Sequence, residues 1–271
     1  MTFRFFIAYL ISISCTLILR GQSTFYEQMV LVEGGTFQMG NEEGSSIEKP
    51  VHTVTLSDYY ISRYEVTVAE YLAFVEATSS NHPEWLEPNS RYNIHTGFDD
   101  QYSRMEWGEA LTEPTHPIVG ISWNDAVAYC AWLSEKEGKN YRLPTEAEWE
   151  FAAKGGNASN GYEYAGGNEL EEVAWVKSNA NESFHSVGQK KANELGLYDM
   201  NGNVWEWCHN IYEDYTADSQ TNPQGPENGV VIVFRGGGYS SSESRCTPTT
   251  RNDNSKVARL KGIGFRIACS K

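Results

Sequence analysis

Apolar and polar positions follow a helical period in three stretches of the 271-residue chain, each opened by a capping signal. Thr67 with Glu70 is a capping box, and Val68, Tyr71, Leu72 and Val75 then fall at i, i+3, i+4 and i+7. Ser122 with Asp125 opens a second helix, whose apolar stripe is Trp123, Ala126, Val127, Cys130 and Ala131. Thr145 with Glu148, after Pro144, opens a third; Trp149, Ala152 and Ala153 make its buried face and Gly155-Gly156 stops it. Short β-type runs lie at Val51–Leu56, Val230–Phe234 and Gly264–Ile267. The polar, aromatic-rich stretches 80–116 and 209–229 are too long for plain connections and read as functional or mobile loops. No internal repeat and no composition break divides residues 26–269, so the pattern predicts one α+β domain with few helices and much irregular structure.

Residues 1–21 read differently. Arg4 precedes a mostly apolar run from Phe5 to Leu19, shorter than the roughly 20 residues that a membrane span needs. The expectation is an export signal, with an uncleaved anchor as the alternative and only a weak lipobox before Cys15. The protein is then periplasmic, cell-surface or secreted, and not an integral membrane protein unless the signal stays attached.

Composition narrows the function. With 40% hydrophobic and 13% aromatic residues the chain can bury a core, which excludes intrinsic disorder. The formal charge is −15; without residues 1–21, which carry Arg4 and Arg20, 19 basic side chains face 36 acidic ones and the charge is −17. A nucleic-acid partner is excluded on that balance, because the phosphate backbone demands a basic face. Four cysteines remain after export, Cys130, Cys208, Cys246 and Cys269. An even number in an oxidising compartment suggests disulfides in one of three connectivities. No C-x-x-C spacing points to a zinc ribbon or a thioredoxin-type motif.

Several blocks carry a resemblance. They are Val32-Glu33-Gly34-Gly35-Thr36-Phe37-Gln38-Met39-Gly40, Tyr64-Glu65-Val66-Thr67, Pro117 through Ala126, Arg142 through Glu150, Gly196 through Trp207, Arg235-Gly236-Gly237 and Gly264-Phe265-Arg266. Together they resemble the formylglycine-generating enzyme, or sulfatase-modifying factor, family over about residues 29–268. The resemblance implies a single compact domain related to the C-type lectin fold. On their own chemistry, the glycine pairs are backbone turns, since no G-K-[ST] follows. Trp123, Trp149, Trp205 and Trp207 are core anchors, and Arg142 and Arg266 belong in buried charge pairs.

Two metals come into question. Asp199 and Glu206 flank the Asn201-Gly202-Asn203 turn, a plausible cage for a hard cation that wants carboxylate and carbonyl oxygens. The resemblance implies calcium held by the Asp199 and Glu206 side chains and the Gly202 and Val204 carbonyls. A second calcium site of the family is not recognisable around Trp175–Phe184. The family's enzyme oxidises a sulfatase cysteine to formylglycine with oxygen and a copper ion held by two cysteines five residues apart. Here the second falls on Cys246, but the first falls on Ser241, and the family's Ser-Trp after the glycines is Gly238-Tyr239. A neutral, hard hydroxyl does not replace a thiolate for Cu(I).

Cys246 has a structural alternative. A Cys208–Cys246 disulfide would close a loop of 37 intervening residues, worth roughly 3–4 kcal/mol in the chain-entropy model. Cys130 and Cys269 would then pair, as the family's helix-to-terminus bridge implies, or stay free and buried; Cys269 lies two residues beyond the family's position. The six histidines share no i, i+3 or i, i+4 spacing, so a helical iron site is not supported, nor is a G-x-S-x-G hydrolase. The expected function is an exported family member with an altered oxidase centre, performing a divergent oxidation or binding an exported protein or peptide. The alternatives are an active formylglycine-generating oxidase and a non-catalytic, C-type-lectin-like component of a surface complex.

Overall fold

All three capping boxes form. In the computed structural model, which describes residues 24–79, 81–98 and 110–271, helix α1 spans Val68–Thr78, α2 spans Trp123–Glu137, α3 spans Glu146–Ala153, and a single turn α4 spans Leu170–Val173. At each of the first three, the capping hydroxyl of Thr67, Ser122 or Thr145 accepts from the backbone N–H three residues on, and that residue's carboxylate returns to the capping N–H. The expected export signal at 1–21, with Cys15, lies outside the described residues. Among the described residues no helix is long and apolar enough to cross a membrane.

The strands are short: β1 (Met29–Val32), β2 (Thr36–Met39), β3 (His52–Thr55), β4 (Tyr59–Ser62), β5 (Tyr141–Arg142), β6 (Trp205–Ile211), β7 (Gln220–Thr221), β8 (Val231–Arg235), β9 (Arg251–Ser255), β10 (Ile263–Gly264) and β11 (Ala268–Ser270). They form three sheets, ordered β1-β4-β11-β5, β10-β6-β8-β9 and β2-β3-β7. The second sheet positions the site. β6 and β8 pair antiparallel with Glu206 opposite Arg235, so the turn before β6 lies beside the glycines after β8. β10 runs parallel to β6 with Gly264 opposite Glu206, which delivers Arg266 to the same place.

Three details depart from the sequence pattern. The α2 stripe is rotated: Ala126 and Cys130 are buried with Asp125, Tyr129 and Leu133, whereas Val127 and Ala131 face outward. The aromatic cluster sets this orientation, because the Tyr129 ring packs between Tyr71 and Phe265. Similarly Phe74, not Leu72, completes the buried face of α1. Gly264–Ile267 is not one strand. The chain leaves β6 after Gly264 and joins β4 at Ala268, and Arg266 turns inward at the crossing. Trp149 and Trp207 are fully buried, while Trp123 and Trp205 are half-buried.

Helix α3 is buried on every side, although it carries three glutamates. Each meets an arginine: Glu146 meets Arg251 at 2.7 Å, Glu148 meets Arg142 at 2.6 Å, and Glu150 meets Arg235. Buried carboxylates are tolerated only with such partners.

The expected disulfides are not formed; Cys130, Cys208, Cys246 and Cys269 are free and buried. Cys208 belongs to the cluster around Trp149, with its thiol 3.9 Å from the Glu206 carbonyl. Cys246 belongs to a separate cluster with Leu170 and Val173, so the Cys208–Cys246 bridge is corrected: the two thiols serve different parts of the core. Cys130 and Cys269 share one cluster but stand as free thiols, the second of the two outcomes expected for them. Apolar packing and the arginine–glutamate pairs therefore do the holding that cross-links were expected to do.

Removing Arg235 takes away the guanidinium partner of the fully buried Glu150 and leaves Lys154 as its cation, so Arg235→Met should cost about 3 kcal/mol in urea unfolding; a loss below about 1 kcal/mol would contradict the assignment. A second expectation concerns acid. Burial raises the Glu150 and Asp125 carboxyls, but it is outweighed by Lys154 and Arg235 at Glu150 and by Ser122, Asn81 and Arg259 at Asp125. Their folded pKa values therefore lie below the unfolded ones. The stability they contribute is present above roughly pH 4 and is lost as pH falls through the folded values. Melting temperature should drop on acidification below about pH 4, and Asp125→Asn should flatten part of that drop.

Candidate functional site

Where β8 ends, Gly236 (φ +98°) and Gly237 (φ +77°) take the chain through the left-handed region. A Cβ at Gly237 would lie 2.5 Å from the Cys246 sulfur, so glycine is required for the segment to fold back on itself. The segment is then braced by Ser241 N–H donating to Gly238 O at 2.8 Å and Gly238 N–H donating to Ser241 Oγ at 3.0 Å. Residues 240 and 242–245 point outward, while Cys246 is buried.

Ser241 and Cys246, the two positions that the family resemblance pairs, lie close together on this folded-back segment. The Ser241 hydroxyl and the backbone at Gly238 and Gly202 lie near enough to the Cys246 sulfur to favour its thiolate, while the Gly238 and Gly202 N–H groups donate to Ser241 Oγ and Gly236 O. Burial nevertheless dominates and pushes its thiol up to about 12, which keeps it protonated at neutral pH. The soft-donor count at this point is one sulfur, with a hydroxyl beside it. These residues do not fit a two-thiolate Cu(I) centre.

The turn 199–204 lies directly behind this segment. Asp199 (φ +57°), Gly202 (φ +73°) and Asn203 (φ +54°) all adopt left-handed backbone. Gly202 N–H donates to Gly236 O at 2.8 Å, and Tyr239 N–H donates to Asn203 O at 2.7 Å. With its amide oriented so that both ends find partners, buried Asn201 donates to the Cys246 carbonyl at 3.0 Å and accepts from Ala165 N–H at 2.9 Å.

Asp199 and Glu206, the expected calcium carboxylates, bracket that turn with unequal freedom. Asp199 Oδ2 accepts from Gly188 N–H at 2.7 Å, whereas Oδ1 is buried and has no hydrogen-bond partner. Glu206 accepts from Arg266 at 2.6 and 2.7 Å and from Trp149 Nε1 at 2.7 Å, which uses three of a carboxylate's roughly four lone-pair directions. A third carboxylate, Glu65, is also buried here. Burial raises the Glu65 carboxyl well above the ordinary range, assisted by Asp199 and Glu206, and burial lifts Asp199 to about 6. Three interior carboxylates against the single Arg266 guanidinium leave surplus negative charge, which protons or a cation must balance. Among the described residues no three His, Cys, Asp or Glu side chains converge as a ready-made metal centre, so a cation here would need the backbone carbonyls as well. The orphaned Asp199 oxygen, the spare capacity of Glu206 and the charge balance fit the calcium set Asp199, Gly202, Val204 and Glu206.

Asn201 and Asn203 form the turn expected between the two carboxylates, whereas the part played by Glu65 is not signalled by the sequence beyond an acid placed between the apolar Tyr64 and Val66. Arg142 and Arg266 are in charge pairs as expected, with Glu148 and Glu206. On the outer face, an open cleft of about 570 Å³ is lined by Lys177, Ser178 and Ser241–Ser244. A polar groove of about 700 Å³ between the 41–48 and 244–251 segments shares Ser244 with it.

The chain can now be placed among known proteins. A family model described as "Sulfatase-modifying factor enzyme 1-like domain" matches residues 17–271. The formylglycine-generating enzyme of Thermomonospora curvata is 33% identical, over 89% of this chain and 92% of that protein. The serine/threonine-protein kinase pkn1 of Chlamydia pneumoniae is 36% identical over 89% of this chain, but the chain spans only 38% of that protein's length. The solved structure of Treponema denticola variable protein 1 superposes with a TM-score of 0.74 at 30% identity, covering 90% of this chain and 95% of that one. On sequence and fold alike, this chain belongs to the sulfatase-modifying factor (formylglycine-generating enzyme) family.

Proposed function

We propose that this protein is an exported member of the family that binds a protein or peptide partner through its 238–262 segment, rather than converting a sulfatase cysteine to formylglycine. The observation that carries the reading is the pairing of a hydroxyl, Ser241, with the buried, protonated thiol of Cys246 at the position where the oxidase needs two thiolates. The outward-facing serines and Arg245 supply adaptable hydrogen bonding around the adjoining cleft, as a contact surface requires. The likeness to variable protein 1 over nearly its whole length supports a scaffold that serves a family member not named for an oxidase. A divergent oxidation at Cys246 is the second reading, favoured by the hydroxyl and backbone groups near its sulfur that work against burial toward the thiolate.

Calcium is proposed as a resident ion, held by the Asp199 and Glu206 carboxylates and the Gly202 and Val204 carbonyls. Its chemistry would be structural: it balances interior charge behind the Cys246 segment and locks the turn that supports it.

Two measurements test these readings. Reduced protein titrated with Cu(I) should bind no more tightly than the Cys246→Ala variant, and a sulfatase-motif peptide with oxygen should yield no aldehyde. Ser241→Cys should raise Cu(I) affinity by restoring the second soft donor; aldehyde formation by the unmodified protein would overturn the binding reading. For calcium, chelation should lower the melting temperature by about 5–10 °C from its value at roughly 100-fold Kd, and Asp199→Ala should abolish the shift. An unchanged midpoint on chelation removes the ion from the account.

A further inference from the structure

Glu65 stands at the junction between β4 and α1, 134 residues before Asp199 in sequence, yet it reaches the turn that carries the calcium set. Its Oε2 accepts from Asn203 Nδ2 at 2.8 Å and its Oε1 accepts from Val204 N–H at 3.3 Å. Asn203 is held from the other side by His185, whose N–H donates to Asn203 Oδ1 at 2.9 Å. Both Glu65 and Asn203 are buried, at 1% and 0% exposure, so neither contact competes with water. Asn203 sits between Gly202 and Val204, the two residues whose carbonyls complete the ligand set. Its left-handed φ of +54° is what lets the chain reverse there. A carboxylate that grips the side chain of one turn residue and the N–H of the next controls how the flanking carbonyls are presented.

We propose that Glu65 is a positioning residue for the cation, acting through Asn203 and Val204 rather than by ligation. It thereby ties the N-terminal strand and helix to the C-terminal turn. The inference rests on the calcium reading above. Its physical content is that of an outer-shell partner: such groups orient ligands and typically contribute about 10–100-fold to metal affinity. Glu65→Gln preserves shape, but either orientation of the new amide sets an N–H donor against the donor of Asn203 or of Val204.

Calorimetric titration with calcium should therefore show Glu65→Gln binding about 10–100-fold more weakly. Asn203→Gly, which keeps the left-handed backbone, should do the same, and the double variant should be little worse than either single one. Val66→Ala, which shrinks a buried side chain next door and leaves Glu65, Asn203 and the ligand residues unchanged, serves as the stability control. It should lower the melting temperature in chelator while leaving calcium affinity unchanged. Should Glu65→Gln and Asn203→Gly bind calcium as tightly as the unmodified protein, Glu65 is no positioning residue, though calcium stands. Should the unmodified protein bind no calcium, both fall.

Discussion

The pairing of Arg266 with Glu206 organises this fold. Both side chains are completely buried, and such a pair is tolerable only with close geometry and further hydrogen bonds around it. Here the guanidinium spends its five N–H groups on both Glu206 oxygens and on the carbonyls of Ser62, Arg63 and Tyr198. One planar cation thus joins the end of β4, the turn before β6, β6 itself and the C-terminal crossing. Trp149 adds α3 through its indole N–H. Remove this contact and three sheet segments lose their common point.

The same logic explains the acidic composition. Much of the excess negative charge is on the surface, but a telling part is inside. Glu146, Glu148 and Glu150 alternate along α3, and each requires a guanidinium: Arg142 from β5 just before the helix for Glu148, and Arg251 and Arg235 from β9 and β8 for the other two. Around Arg266 the balance fails: Glu65, Asp199 and Glu206 outnumber the one arginine. An interior with that imbalance must take up protons or a cation. The backbone next to it, in left-handed conformations at Asp199, Gly202 and Asn203, is the kind of irregular turn that offers carbonyls.

The turn and the Cys246 segment share a wall. Gly202 N–H and Asn201 reach one way to Gly236 and the Cys246 carbonyl, and Glu65 reaches the other way from the N-terminal half. Family membership accounts for this scaffold without assigning a reaction to it, because chemistry lives in the donor atoms placed on it. With one sulfur and one hydroxyl at its outer edge, the scaffold keeps its geometry while its donor set changes.

What could be read from the chain alone were features whose physics is local. The capping boxes at Thr67, Ser122 and Thr145 involve residues three apart, so they form wherever the rest of the chain goes. The family blocks, the Ser241 departure and the need for arginine partners were equally legible, because residue type and spacing carry them. The rotation of α2 toward Tyr129 was not, since it depends on rings from α1 and from Phe265. Neither was the state of the cysteines: thiol separation depends on which cluster each enters, and spacing says nothing of that. Glu65 shows the division most plainly. Its identity was visible in the chain, but its work on Asn203 and Val204 exists only because β4, α1 and the 199–204 turn are folded against one another, burying both groups where a carboxylate or amide without a partner is costly.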